Sequence, residues 1–197
     1  MIGIINYGAG NIFSLTAALE RQKIAYGMIN SLEDFEQFER CIIPGVGHAG
    51  AAMKKLEATG LIPLIKESQK PVLGICVGMQ LLTRYSEEGD SELTQIMPMD
   101  TRLFKSEELK LKVPHMGWNR VKTEMNNELF KGIGSSTYFY FVHSYYIEFN
   151  PNFTLASVDY GVKFSAAIQK NNFYGVQFHP EKSGEAGERI LKNFSEL

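Results

Sequence analysis

The chain is 197 residues long, carries a formal net charge of -2 and is 44% hydrophobic, which fits one globular domain able to bury a substantial core. No basic stripe points to nucleic acid, no apolar run is long enough to span a membrane, and the start lacks a charged leader with a cleavage site. These features speak against a nucleic-acid-binding, membrane-embedded or exported protein, and a cytoplasmic location is expected.

Residues 2–6 read as a short apolar strand, residues 7–11 as a turn, and residues 12–22 as a helix with Ile12, Leu15 and Leu19 on one face. A second strand is expected over 25–29. Ser31 and Asp34 have the spacing of a capping box for a short helix through Phe38. Residues 41–43 form a third strand that runs into Pro44-Gly45-Val46-Gly47. Two helices follow, 51–59 and 61–68, then a buried strand after Pro71. Strands alternating with helices on short loops predict a doubly wound, mostly parallel sheet. Such sheets bind ligands at the carboxyl ends of their strands, where Cys76 and the 45–47 loop belong.

After Tyr85 the pattern changes. Residues 86–100 read as polar and loop-like. Short strand candidates then follow at 101–104, 109–113, 119–122, 138–142, 145–149, 154–160, 164–169 and 173–178. They predict a largely antiparallel half packed beside the parallel sheet, and residues 184–194 close the chain as a helix. With no internal repeat or low-complexity linker, residues 1–197 are expected to form a single α/β domain: a doubly wound, mostly parallel central sheet flanked by helices, with additional antiparallel strands in the C-terminal half.

Three motifs carry chemistry. Gly74-Ile75-Cys76-Val77-Gly78, between a strand and a helix, has the form of a nucleophile elbow with cysteine in place of serine. Its glycines suit a sharp turn that sets the sulfur at a helix N-terminus, where thiolate is favoured; the alternative is a buried structural cysteine. Gly45-Val46-Gly47-His48-Ala49-Gly50 matches a dinucleotide-loop spacing. It does not follow the first strand, however, and the next strand ends at Cys76 rather than at an acidic residue that would hold a ribose. An oxyanion loop beside the sulfur is the favoured reading, with a plain tight turn second and a nucleotide loop last. His179-Pro180-Glu181 ends a strand-like segment, and a base followed two residues later by its orienting carboxylate is what a cysteine nucleophile needs. His179 is alternatively a surface residue at a strand end. His143 reads as an interior histidine, and His115 and His48 as loop residues. Cys41 reads as a small core residue, and two cysteines make no disulfide framework. No metal site is expected.

Gly74-x-Cys76-x-Gly78-x-Gln80 together with His179-Pro180-Glu181 resembles the triad of the class I glutamine amidotransferases. Five further segments resemble the glutaminase-subunit branch that serves imidazole glycerol phosphate synthases: residues 7–11, 44–47, 114–119, 141–145 and 179–183. The segment 91–99 departs from that branch in lacking a Gly-Leu-Gly-Leu type of stretch. The resemblance implies Cys76 as nucleophile, His179 as base and Glu181 as its orienter. It implies an oxyanion hole from Val46, Gly47 and Val77, and glutamine held by Gln80 and the backbone of Ser144, Tyr145 and Tyr146. It also implies a (β/α)8-barrel cyclase partner, joined as a heterodimer and met by Asn11, Trp118 and Lys182, with no cofactor and no metal. For Trp118, in an expected Gly-Trp-Asn loop, burial in the core is the competing reading.

Overall fold

In the computed structural model, which describes residues 1–105, 107 and 111–197, the first half of the chain alternates strand and helix. β1 (Ile2–Ile5) leads to α1 (Ile12–Arg21), β2 (Tyr26–Ile29), α2 (Leu32–Phe35), β3 (Arg40–Ile43), α3 (Ala49–Ala58), α4 (Ile62–Glu67), β4 (Val72–Ile75) and α5 (Val77–Leu81). Local chemistry accounts for these elements. β1 and β4 are buried at every position, as strands covered on both faces must be. The Asn11 side chain caps α1 by accepting from the Ser14 N–H at 3.3 Å. Ser31 and Asp34 form the expected capping box. Helix α2 nevertheless stops at Phe35, short of Phe38, whose ring occupies the space above Gly3 and Gly27.

The second half supplies β5 (Tyr85–Ser86), β6 (Ser91–Glu92), β7 (Asp100–Leu103), β8 (His115–Thr123), β9 (Ser136–His143), β10 (Tyr145–Glu148), β11 (Thr154–Asp159), β12 (Lys163–Lys170), β13 (Phe173–Val176) and α6 (Gly184–Glu196). It does not pack beside the parallel sheet as expected. All the strands join one thirteen-stranded sheet in the order β2-β1-β3-β4-β13-β12-β10-β7-β5-β6, with β11 pairing β12 and β8, and β8 pairing β9. The run from β2 to β13 is parallel. Beyond β13 the pairing is antiparallel except between β5 and β7. The fold is α/β, with a mostly parallel central part and added antiparallel strands.

Two other expectations need correction. Residues 86–100 are not a polar loop: Leu93, Ile96, Met97 and Met99 are buried, and the backbone N–H groups of Thr94 and Met97 donate to the carbonyls of Leu81 and Leu82. The strand candidate 109–113 falls partly outside the described residues, and 111–113 are not in a strand. One hydrophobic cluster runs through both halves of the described chain. No described helix is long and apolar enough to cross a membrane.

The turn between β4 and α5 is closely packed against backbone. A Cβ on Gly74 would lie 2.4 Å from the Gly78 carbonyl oxygen, and one on Gly78 would lie 1.9 Å from the Ile43 carbonyl oxygen. Neither neighbour is a flexible side-chain tip, so the backbone itself would have to move. Gly78→Ala should therefore lower unfolding stability by roughly 3 kcal/mol or more, the upper part of the overpacking range. Gly134→Ala, whose added methyl would meet only Thr137 Oγ1 at 3.3 Å, should leave it nearly unchanged. Urea denaturation of the two variants checks the contrast.

Candidate functional site

Cys76 and His179 are far apart in sequence, and the sheet brings them together. β4 and β13 are parallel neighbours with Ile75 opposite Val176, so both chains leave the sheet at the same edge. The Cys76 N–H donates to the Val176 carbonyl at 2.8 Å, which fixes the turn against the strand that carries His179. Cys76 sits at φ 54°, ψ -112° as the N-cap of α5, a conformation that side-chain-bearing residues rarely adopt. The His179 N–H donates to the Tyr140 carbonyl at 2.9 Å, and the His179 carbonyl accepts from Ser183 Oγ at 2.6 Å. Backbone bonds on both sides thus hold the imidazole in place.

Cys76 and His179 are buried, and the Glu181 side chain is only 4% exposed. His179 Nδ1 and Glu181 Oε1 are 2.8 Å apart, a hydrogen bond in which the ring nitrogen donates to the carboxylate. His179 Nε2 is buried and makes no hydrogen bond of ordinary geometry, yet a looser hydrogen-bond contact with Cys76 is the largest influence holding the ring in its charged form. Burial alone would push His179 down, but hydrogen bonding to Cys76 and to Glu181, reinforced by their charges, overrides it and holds the imidazole up to about 10. Burial, assisted by the charge at Cys76, likewise pushes the Tyr7 phenol up. Tyr7 Oη donates to the Pro44 carbonyl at 2.5 Å and so ties down the start of the glycine loop.

A cavity of about 680 Å³ opens above the sulfur. It brings together Cys76, His179, Val46, Gly47, Val77 and Gln80, and Ser144, Tyr145, Asn11 and Lys182 also line it. Glu181 stands behind His179. Tyr146 is not among the lining residues; its ring packs on Phe104 with centroids 4.5 Å apart. Trp118 is neither in a loop nor in the core. It lies on β8 opposite Tyr140 and is 56% exposed. Lys182 Nζ lies 5.9 Å from the Tyr140 ring centroid, which links the cavity to that exposed face. Among the described residues, no group of three or more His, Cys, Asp or Glu side chains is placed to hold a metal ion.

Three residues escaped the sequence reading. Glu88 lines the cavity and accepts from the Ala49 N–H at 2.6 Å, but within an acidic, glycine-containing run it looks like a solvated surface residue. Gln177 donates from Nε2 to Cys76 Sγ at 3.7 Å; its spacing of two from His179 was the available signal. His115 is no loop residue: it is a buried strand position whose Nδ1 lies 2.9 Å from His143 Nε2.

Comparison with known proteins converges on one family. The family model for glutamine amidotransferase class-I matches residues 4–196. The imidazole glycerol phosphate synthase subunit HisH of Bacteroides fragilis is 47% identical over 196 residues, covering 100% of this chain and 99% of the relative. The protein of the same name from Pasteurella multocida is 48% identical over 195 residues, covering 99% and 97%. Among solved structures, one described as a glutamine amidotransferase superposes with a TM-score of 0.74 at 17% identity, covering 99% of this chain and 97% of that one. PurLQS from Thermotoga maritima gives a TM-score of 0.67 at 17% identity, covering 98% and 96%. At such identities the structures speak for the fold alone.

The charge balance at His179 can be tested directly. Its raised pKa means that the imidazolium form persists through neutral pH and is lost as pH rises through about 10. Its contribution to stability is full below the ordinary histidine value and fades over the same rise. Cys76→Ala removes the larger of the two attractions, so burial should then draw His179 to a lower pKa. An NMR titration of the ring protons in both proteins should show that direction; an unchanged titration would mean that Cys76 does not act on the ring.

Proposed function

The chain belongs to the class I glutamine amidotransferases, and from that premise we propose how it works. It is a glutaminase subunit of imidazole glycerol phosphate synthase in histidine biosynthesis, as its full-length relatives at about 47% identity indicate. The observation that carries our mechanistic reading is the meeting of the elbow cysteine with a buried histidine whose Nδ1 is held 2.8 Å from Glu181. Thiolate Cys76 attacks the carboxamide carbon of glutamine. The oxyanion is met by backbone N–H groups of Val77 and the Val46–Gly47 segment, each such donor typically worth roughly 3 kcal/mol. Imidazolium His179, held by Glu181, gives its proton to the departing ammonia and leaves a glutamyl thioester on Cys76. His179 then takes a proton from water, which attacks the thioester carbon and frees glutamate. Gln80 and the backbone of Ser144 and Tyr145 hold the substrate, and the Glu88 carboxylate is the group in the cavity suited to its α-ammonium.

As a synthase subunit, the chain works with a partner subunit. Our finer reading is a (β/α)8-barrel cyclase, joined as a heterodimer in the cytoplasm, which receives ammonia unprotonated. There ammonia reacts with a phosphoribulosyl formimino carboxamide nucleotide to give imidazole glycerol phosphate and an aminoimidazole carboxamide ribotide. The docking face we infer is the β8–β9 surface beside the cavity. Met116, Trp118 and Tyr138 are 63%, 56% and 51% exposed there, and Asn11 and Lys182 line the cavity.

Cys76→Ala should abolish glutamine hydrolysis while ammonia-dependent synthesis by the partner survives, and Cys41→Ser, in the core, should retain activity. Full glutaminase activity in the Cys76→Ala protein would refute the mechanism. kcat and KM for glutamine, measured for the subunit alone, with partner, and with partner plus acceptor, should show kcat rising far more than KM changes; equal kcat in all three states would exclude control of turnover by the partner. Trp118→Ala should weaken the complex by about 2 kcal/mol, as interface anchors do, with the thermal melt of the free subunit almost unmoved.

A further inference from the structure

Two buried histidines outside the triad form a hydrogen-bonded line that ends at the glutamine cavity. His143 Nδ1 lies 2.7 Å from the Tyr145 carbonyl oxygen. A carbonyl can only accept, so that nitrogen carries the proton and Nε2 of the neutral ring is bare. His115 Nδ1, 2.9 Å from His143 Nε2, must then carry its proton too. That leaves His115 Nε2 to accept from Asn119 Nδ2 at 3.1 Å. Burial lowers His115 to about 4 and His143 to about 3, so both rings stay neutral and the assignment holds at working pH.

The line continues on the far side of the same carbonyl. Gln80 Nε2 donates to the Tyr145 oxygen at 3.2 Å and to Gln177 Oε1 at 3.0 Å, and Gln177 Nε2 reaches Cys76 Sγ. Both lone pairs of the Tyr145 carbonyl and both hydrogens of the Gln80 amide are thereby spent, and the amide has one orientation. What it offers a ligand is its Oε1. The surroundings of the histidine pair are aromatic: Phe141 stacks on His115 at 4.9 Å, and Phe164 meets His143 at 5.3 Å. Apolar side chains would pack there without the cost of burying polar rings. The pair is therefore explained by what it holds.

We propose that His115 and His143 are positioning residues for glutamine: two neutral imidazoles, each protonated on Nδ1, that fix the Tyr145 carbonyl and through it the Gln80 amide. The role rests on the glutaminase reading, but the tautomers do not. A neutral imidazole left to itself prefers its proton on Nε2, so paired Nδ1–H forms are a specific signature of the line.

The experiment has two arms. Long-range nitrogen–proton NMR correlations on the unsubstituted chain should show Nδ1 protonated and Nε2 bare in both rings; an Nε2–H tautomer at either ring overturns the proposal. In the partner complex, His115→Leu should raise the KM for glutamine about fivefold to tenfold with kcat within about twofold, the loss expected when one positioning hydrogen bond is gone. His115→Asn, whose amide nitrogen replaces the Nδ1 donor, should restore most of it. An unchanged KM in His115→Leu, or no rescue by asparagine, overturns the proposal; if the leucine variant fails to fold, His115→Gln, whose amide lies at the Nε2 position and leaves the donor to His143 missing, takes its place, and an unchanged KM there overturns the proposal. Absence of glutamine turnover in the unsubstituted complex would overturn the glutaminase reading and this role with it, a failure recognisable because the Nδ1 tautomers would remain.

Discussion

Strands β4 and β13 run parallel with Ile75 opposite Val176, and the candidate site hangs on that register. The residue after Ile75 is the elbow cysteine, and the third residue after Val176 is the histidine that faces it. A slip of one residue would reverse every side chain on β13 and carry His179 away from the sulfur. The register is locked by burial on both faces and by the Cys76 N–H bond to Val176. That bond also holds Cys76 at φ 54°, a conformation that costs on the order of 1–3 kcal/mol. The surrounding packing has to supply that energy. The close approach of Gly74 and Gly78 to backbone carbonyls shows how little room the turn leaves for relaxation.

Much of this was legible in the sequence because the elbow and the His-Pro-Glu segment are local patterns with local causes. Glycines flanking a cysteine between a strand and a helix announce a turn wherever the turn ends up. The parallel alternation of the first half was readable for the same reason: helix and strand periods are written in short windows. What could not be read was which strand pairs with which. β13 is separated from β4 by the whole second half of the chain, and nothing in residues 173–176 distinguishes a central parallel strand from an antiparallel one. The antiparallel half was therefore expected to pack beside the sheet instead of continuing it. His115 was misread as a loop residue because Pro114 and Gly117 near it signal turns, whereas β8 begins at His115. Glu88 was missed because its burden is spatial: an acidic residue in a charged run matters here because its carboxylate reaches the Ala49 N–H and lines the cavity.

The electrostatics follow from the same burial. A histidine as deeply buried as His179 would ordinarily be neutral, and His115 and His143 are held well below the usual histidine value by burial. His179 departs from them because it has an acidic partner on each side, Cys76 and Glu181, whereas the other pair has carbonyl, amide and imidazole neighbours. One fold thus keeps two histidines neutral and a third charged within one region. The neutral pair can hold a hydrogen-bond direction that protonation would scramble, while on the proposed reading the charged one delivers a proton to a leaving group.

On the proposed reading, the isolated chain already has its nucleophile, base and orienter in place, so restraint on turnover has to come from the oxyanion loop. That loop is pinned at both ends. Tyr7 Oη holds the Pro44 carbonyl at 2.5 Å, and the Glu88 carboxylate holds the Ala49 N–H at 2.6 Å. Gly45 is wedged as well, since a Cβ there would come within 2.4 Å of the Gly78 nitrogen. Gly47 is different: it adopts φ +87°, and nothing lies within 4 Å of where its Cβ would be. The peptide between Val46 and Gly47 is therefore the segment of the loop with both the conformational freedom and the space to rotate. Its exposed neighbour Val46 lines the same cavity as Asn11 and Lys182, so a partner seated on those residues would act first on the peptide whose direction decides whether the oxyanion is met. Losing one such donor costs about a hundred- to a thousand-fold in rate. That is enough for a single peptide rotation to keep the subunit quiet without disturbing the triad that β4 and β13 hold in register.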